Sequence, residues 1–237
     1  MLAYVNAKAR ILDYIRQNKL KRGDRLPTEA DLSKQLEIGR MSLREGLNAL
    51  KNEGIILSVQ GSGTFVACDL EHIADALNVN CSVTDMIKGG GHKPGCCYFS
   101  KEIIKADARV ASALHIVEGP DVPVCTRIRT ADDVPVVFMR DYFAPALAPL
   151  FLEFNENVLS LYEYIEQHSS YKVGASMTEI MPCAADAEQA KALSVPQGTL
   201  LLEMINIVND VYGTPIIFAQ EYFLADRFKF IITRGKA

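Results

Sequence analysis

Two pairs of arginines have spacings that chemistry can use. Arg40 and Arg44 stand four residues apart, so on a helix they share one face, with Met41 and Ser42 beside them. A guanidinium fork on such a face can grip a phosphate, or the edge of a guanine, through two parallel hydrogen bonds. Arg127 and Arg129 stand two apart, and on a strand their side chains point to the same side. If that side lines a pocket, the two like charges need an anion or a carboxylate nearby; if it faces water, they form a solvated edge. No catalytic constellation accompanies them. There is no Ser-His-Asp set at a spacing that can be justified and no HExxH, and His72, His92, His115 and His168 are scattered and read as structural or surface residues. The six cysteines (68, 81, 96, 97, 125, 183) are too few for a disulfide scaffold. Cys96-Cys97 is an adjacent pair rather than the C-x2-4-C spacing of a metal site. No metal and no cofactor are expected.

The elements that must carry the first pair can be read outward from it. Tyr4, Ala7, Ile11, Leu12 and Ile15 keep helical spacing, and this first helix is expected to end near Asn18, before a turn punctuated by Gly23 and Pro27. Thr28 followed by Asp31 reads as an N-cap with an acid three residues on, and a second helix runs to about Leu36, burying Leu32 and Leu36. After a break at Glu37-Ile38-Gly39, a third helix carries Leu43, Leu47 and Leu50 and closes at Gly54. Two short helices around a tight turn, with arginines at the front of the second, fit helix-turn-helix docking in a major groove. They also fit a plain helical hairpin with solvated charges. Ile55–Val59 and Thr64–Val66 then make a small hairpin around Gln60-Gly61-Ser62-Gly63, which completes a winged helix. Without GK[ST], that glycine-rich turn is no phosphate-binding P-loop.

With those residues in order, the stretch from Leu20 to Val66 resembles the winged-helix domain of the GntR family of bacterial transcription regulators. Gly23 and Leu26-Pro27-x-Glu29, then Arg40-Met41-Ser42-Leu43-Arg44-Glu45, then Gly61-x-Gly63-Thr64-Phe65-Val66 match its three signatures. The resemblance implies DNA contacts from Arg40, Ser42 and Arg44 with Met41 beside them, and from Thr28 and Glu29 at the second helix. It also implies them from the wing tip Gln60, Gly61, Ser62, Gly63 and Thr64. Two positions depart from the pattern: Gly39 stands where a Ser or Thr hydroxyl is usual, and Ala30 where some members carry arginine.

Charge agrees with this division. Residues 1–66 hold eleven basic against seven acidic side chains, a balance of +4; the remainder holds 14 against 22, or −8, and the total of −4 conceals both. A +4 excess over that length is also within ordinary scatter. The boundaries are read as a winged helix at 1–68, a linker at 69–81 forming a brief helix or irregular segment, and an acidic domain at 82–237. In the acidic part, the order strand, short helix, Pro-x-Gly turn and long hairpin occurs twice, once over 97–142 and again over 176–224. That predicts an α+β domain with an antiparallel sheet and helices on one side of it. This region resembles the effector-binding (UTRA) domain of the HutC subfamily, whose fold is related to chorismate lyase. The match is carried by DMIKGGGHKPG, RIRTADDVPVVFMRDYFAP, SLYEYIEQH and YGTPIIFAQEYFLADRFKF. The resemblance implies a cleft for a small, often anionic metabolite. Arg127 and Arg129 would meet the anion, with Arg140, Ser160, Tyr162, Glu179, Glu221 and Tyr222 as the surrounding polar set.

The chain of 237 residues, 49% hydrophobic and 23% charged, is neither disordered nor fibrous. It has no run of the roughly 18 apolar residues a membrane helix needs, and no signal peptide is read at its start. The expectation is a cytoplasmic, ligand-responsive transcription regulator. It would be a repressor that binds paired operator half-sites as a homodimer, with no membrane partner. Two other readings are open: an enzyme using the lyase-like domain, and a regulator responding to oxidation of Cys96 or Cys97.

Overall fold

The computed structural model describes residues 3–52, 55–59, 61–67, 73–77 and 80–232. They form two compact units that are not contiguous in sequence. The first comprises residues 1–79, 86–91 and 227–237, and the second residues 80–85 and 92–226.

The first unit opens with helices α1 (Ala3–Gln17), α2 (Glu29–Gln35) and α3 (Arg40–Asn52), then strands β1 (Ile56–Val59) and β2 (Gly63–Val66). Ala7, Ile11 and Ile15 recur every four residues on α1, so they form one stripe, and with Leu12 they are buried. That stripe meets Leu32 of α2, Leu43 and Leu50 of α3, and Ile56 and Val66 of the hairpin. Leu36 and Leu47 pack at its border, half-buried. Thr28 caps α2, its side-chain oxygen accepting from the Asp31 amide. Gly46 sets the closeness of α1 to α3: a Cβ there would lie 3.0 Å from the Lys8 nitrogen and 3.1 Å from the Ala7 Cβ. Gly46→Val is therefore expected to overpack this contact and cost roughly 1–3 kcal/mol, read as an earlier midpoint in urea denaturation.

Within the linker, expected as a brief helix or irregular segment, Ile73–Ala76 instead form a strand, β3, because they pair in parallel with the last strand, β10, introduced below. Helix α4 (Val83–Gly89) follows, its first turn closed by the Ser82 hydroxyl accepting from the Asp85 amide. Gly91, at φ +76°, ends the helical run as the triple glycine predicts.

In the second unit, β4 (Pro94–Lys105), α5 (Ala108–Leu114), β5 (Asp121–Ala131) and β6 (Val134–Phe143) come first. A 3-10 turn, α6 (Ala148–Glu153) and α7 (Leu161–His168) follow. Then β7 (Val173–Ala184), α8 (Ala187–Leu193), β8 (Leu200–Asp210) and β9 (Pro215–Leu224) repeat the opening order. The sheet is fully antiparallel, in the order β4-β5-β6-β9-β8-β7. This is the expected α+β architecture, and the repeat seen in the sequence becomes a pseudo-two-fold arrangement with β6 and β9 at the centre. The two equivalent helices start and stop alike. Asp107 and Asp186 cap their N-termini, and His115 and Ser194 end them in the left-handed region, at φ 53° and 58°.

Helices cover both faces of the sheet rather than the one side expected, because each repeat lays its own short helix on one face while α6 and α7 close the other; β5 is therefore buried at nearly every position rather than alternating. On one face Cys125, Phe143, Val208 and Ala219 pack under α6 and α7. On the other, Phe218 packs under α5, and Ile128, Phe138 and Leu201 under α8. Strand β10 (Phe228–Ile231) closes the described chain in the first unit, beside β3, with Ile231 against the winged-helix core.

Candidate DNA-binding surface and ligand site

On the winged helix, Arg40 begins α3, and Arg40, Met41 and Arg44 are exposed, with Ser42 half-buried, while Leu43 and Leu50 turn into the core. The front of α3 therefore presents its polar residues together. Arg44 is not idle: its Nε donates to Glu29 Oε2 at 2.7 Å, both groups exposed. That bond, then the charge of Glu29, raises the Arg44 pKa. Thr28 is held in its capping role and donates to Asp31 Oδ2 at 2.6 Å. In the wing, Gly61 (φ +78°) and Gly63 (φ +117°) adopt backbone that side chains disfavour. Ser62 is exposed between them, and Thr64 faces Ser58 across the hairpin at 3.2 Å. Gln60 lies outside the described residues. A residue the sequence reading passed over, Arg25, supports the wing: a Cβ on Gly63 would come within 2.7 Å of its guanidinium. Arg25, Thr28, Glu29, Gly63 and Thr64 line a cleft of about 200 Å³.

In the second unit the structure brings five of the eight expected effector residues to one face of the sheet and leaves three elsewhere. Register puts Arg127, Met139 and Glu221 in one row across β5, β6 and β9, so these side chains share the face under α6 and α7. Arg127, 2% exposed, donates from Nη2 to Asp141 Oδ2 at 2.7 Å, while its Nε and Nη1 are buried without a partner among the described residues. Arg129, 1% exposed, is fully engaged by the protein. Its Nε donates to the Gly95 carbonyl (3.0 Å), Nη1 to the Leu159 carbonyl (2.8 Å) and Nη2 to Thr84 Oγ1 (3.0 Å). Ser160 caps α7 and donates to Ser82 Oγ at 3.4 Å; Tyr162 donates to Asn80 Oδ1 at 3.2 Å. Glu221 accepts from Asn206 Nδ2 at 2.8 Å.

Arg140, Tyr222 and Glu179 do not join them. Arg140 points the other way, its Nη2 donating to Glu188 of α8 at 2.8 Å. Tyr222 bonds Glu203 at 3.1 Å and packs on Phe138 of that same face. Glu179 is exposed on the edge strand, opposite Ile205. The reason is strand parity: adjacent residues such as Glu221 and Tyr222 cannot both enter one site. Parity also exposes what was missed, because Asp141 and Asn206 fall on the face with Arg127. A carboxylate inside the apolar run of β6 was the available signal.

The electrostatics of this face are those of a buried, mixed-charge layer. Burial and then the neighbouring Arg127 bring Arg129 down to about 10, which leaves it charged at neutral pH. Burial also opposes the charge of Arg127, but the Asp141 carboxylate, together with Cys125 and Cys96, outweighs it and its pKa is raised. Burial, then the Glu221 and Asp141 carboxylates, drive the Tyr162 hydroxyl up, so it stays a neutral donor. Cys96 stands opposite Arg129 on β4, while Cys97 is exposed. Partial burial and then Cys96 raise the Cys97 pKa, which favours the unreactive thiol. Among the described residues, no group of three His, Cys, Asp or Glu is placed to hold a metal, and no helix is long and apolar enough to cross a membrane.

Comparison with known proteins decides the family. The model of the UTRA domain matches residues 89–229, and that of bacterial regulatory proteins of the gntR family matches residues 3–66. The chain belongs to the GntR family. This GntR regulator is 27% identical over 230 residues to the HTH-type transcriptional repressor NagR of Bacillus subtilis, covering 96% of this chain and 93% of the relative. It is 27% identical over 224 residues to the mannosyl-D-glycerate transport/metabolism system repressor MngR of Escherichia coli, covering 94% and 92%. Its fold matches PhnF of Mycobacterium smegmatis with a TM-score of 0.63 at 22% identity, covering 97% of this chain and 100% of that one. YydK of Bacillus subtilis matches at 0.62 and 22%, covering 99% and 100%. The GntR protein is a ligand-responsive, DNA-binding transcriptional repressor and not an enzyme.

Proposed function

We propose that this repressor holds an operator with paired half-sites as a homodimer, and that a small anionic metabolite bound beside Arg127 changes its grip. One observation carries the ligand reading: two guanidinium nitrogens of Arg127 are buried with no acceptor among the described residues, and an unmet buried donor is costly unless something fills it. Arg129, fixed by three protein acceptors, sets the positive field of the site; Ser160, Tyr162 and Glu221 surround it. On the DNA side, Arg40, Ser42 and Arg44 read the major groove with Met41 against it. Thr28 and Glu29 order the approach, and the wing residues 60–64 reach the adjacent minor groove. Two copies double the phosphate contacts of a small reader. The second domain is read as a relative of the chorismate lyase fold put to sensing, and the protein as acting in the cytoplasm. The ligand works by binding the DNA-competent and DNA-incompetent arrangements unequally.

The test is fluorescence anisotropy on DNA from the protein's own promoter region, against scrambled DNA, with and without a panel of anionic metabolites. A salt-sensitive preference for the promoter, altered by at least one anion, is expected. Arg127→Lys keeps the charge that Asp141 needs but removes the forked donors. It is expected to bind DNA as before and to lose the response to the anion. Equal affinity for scrambled DNA would overturn the DNA reading; an undiminished response in Arg127→Lys would overturn the site.

A further inference from the structure

Backbone pairing sets Arg25 beside the wing. Residues 23–26 run along β2 as a third strand of the hairpin: the Gly23 amide donates to the Val66 carbonyl, the Val66 amide to the Asp24 carbonyl and the Leu26 amide to the Thr64 carbonyl, each at 2.8 Å. Arg25 itself bridges to Phe65. Leu26 turns into the core, so its neighbour Arg25 turns outward and is exposed. From there its head lies over Gly63. A Cβ on that glycine would stand 2.7 Å from Nε, 3.0 Å from Nη2 and 3.2 Å from Cζ of the guanidinium. Gly63 therefore does more than turn the chain: its bare Cα is the seat of the Arg25 head.

The cleft of about 200 Å³ at that seat is lined by Gly63 and Thr64 of the wing, by Thr28 and Glu29 at the start of α2, and by Leu47 of α3. Its other polar side chains are committed within the protein. Thr28 donates to Asp31 at 2.6 Å, Glu29 accepts from Arg44 at 2.7 Å, and the Thr64 hydroxyl lies 3.2 Å from that of Ser58. The carboxylate next to Arg25 in sequence, Asp24, accepts from the Lys21 amide at 2.8 Å. Among the described residues, Arg25 is the polar side chain of this lining that makes no hydrogen bond or ion pair. With α3 in a major groove and the wing in the neighbouring minor groove, the DNA strand that separates the two grooves passes over this cleft.

We infer that Arg25 is a phosphate-binding residue, whose guanidinium holds the operator backbone where it crosses between the recognition helix and the wing. The planar fork suits two phosphodiester oxygens at once, and such a contact fixes register without reading a base. This rests on the reading of α3 and the wing as the DNA surface and adds the strand contact between them.

The test uses the full chain, DNA from its own promoter region, and scrambled DNA of the same length. Arg25→Met keeps an unbranched stem against Gly63 and removes the charge. Its unfolding midpoint is expected to match the parent's. Its affinity is expected to fall roughly tenfold at low salt on both DNAs alike, the scale of one charge-assisted hydrogen bond. The slope of log affinity against log salt should become shallower by about 0.9. Ethylation interference on the promoter locates the contact: with Arg25→Met, one phosphate in each half-site should cease to matter while the others still do. Arg25→Gln is expected to lose the same slope, which covers the case in which Arg25→Met folds poorly, and Arg25→Lys is expected to keep it. An unchanged slope in the neutral variants, a slope lost equally in Arg25→Lys, or interference weakened evenly at every phosphate, as a displaced wing would give, would overturn the inference alone. Absence of salt-sensitive promoter binding by the parent would overturn the DNA reading and this inference with it.

Discussion

Asp141→Ala is expected to destabilise the second unit by about 3–5 kcal/mol, because it leaves the Arg127 guanidinium buried without its carboxylate. Both side chains of this pair are about 3% exposed, so the pair lies well inside the fold. Against a total stability of about 5–15 kcal/mol for an ordinary domain, such a loss is severe. The measurement is urea denaturation at neutral pH. Asp141→Asn keeps an acceptor oxygen and should lose less. Arg127→Met combined with Asp141→Leu removes both charges together and should recover most of the stability, since an apolar pair no longer carries the desolvation of two ions. A midpoint for Asp141→Ala equal to the parent would mean that Arg127 finds another acceptor, and the unmet donors would lose their significance.

The second large effect falls on the reader. Arg40→Ala with Arg44→Ala is expected to weaken promoter binding by at least about thirtyfold, since each bidentate base contact is worth roughly 1–3 kcal/mol. The slope of log affinity against log salt should become shallower by up to about 0.9 for each phosphate no longer neutralised. The two positions should not contribute alike. Arg40 is exposed at the head of α3, whereas Arg44 must give up or share its bond to Glu29. An exposed ion pair of that kind adds little to stability, so the cost to Arg44 is small. Glu29→Ala alone should therefore leave Arg44 as good a DNA ligand or a slightly better one. Anisotropy at two salt concentrations separates these outcomes, and a double variant with unchanged operator affinity would remove α3 from the recognition surface.

Sequence reading reached the winged helix because local rules decide it. Thr28 caps what it was expected to cap, Leu32, Leu43 and Leu50 face inward, and two glycines with positive φ turn the wing. The duplicated strand–helix–hairpin order was also legible, and it became the symmetric sheet. Two kinds of information were not local. Strands β3 and β10 are four residues each and have no strong alternation; each exists because the other is brought beside it from some 150 residues away. In the proposed ligand site, the arginine pair was readable from its spacing alone. Membership of the rest depended on the inward parity of β6, β8 and β9, and residue types could not supply it. A covered sheet hides that parity, since both faces of β5 and β6 are apolar enough to be buried.

The pairing of β10 with β3 bears on how the molecule is made. Ile231 rests on the core of the winged helix, and β3 has its partner in Phe228–Ile231. A ribosome delivers those residues only after the whole sensing domain has emerged. The winged helix can assemble early from residues 3–66, but the small sheet beside it waits until Phe228–Ile231 have been made. A chain interrupted before Phe228 would then carry a reading head without its full support, so a sound regulator needs translation to pass Ile231.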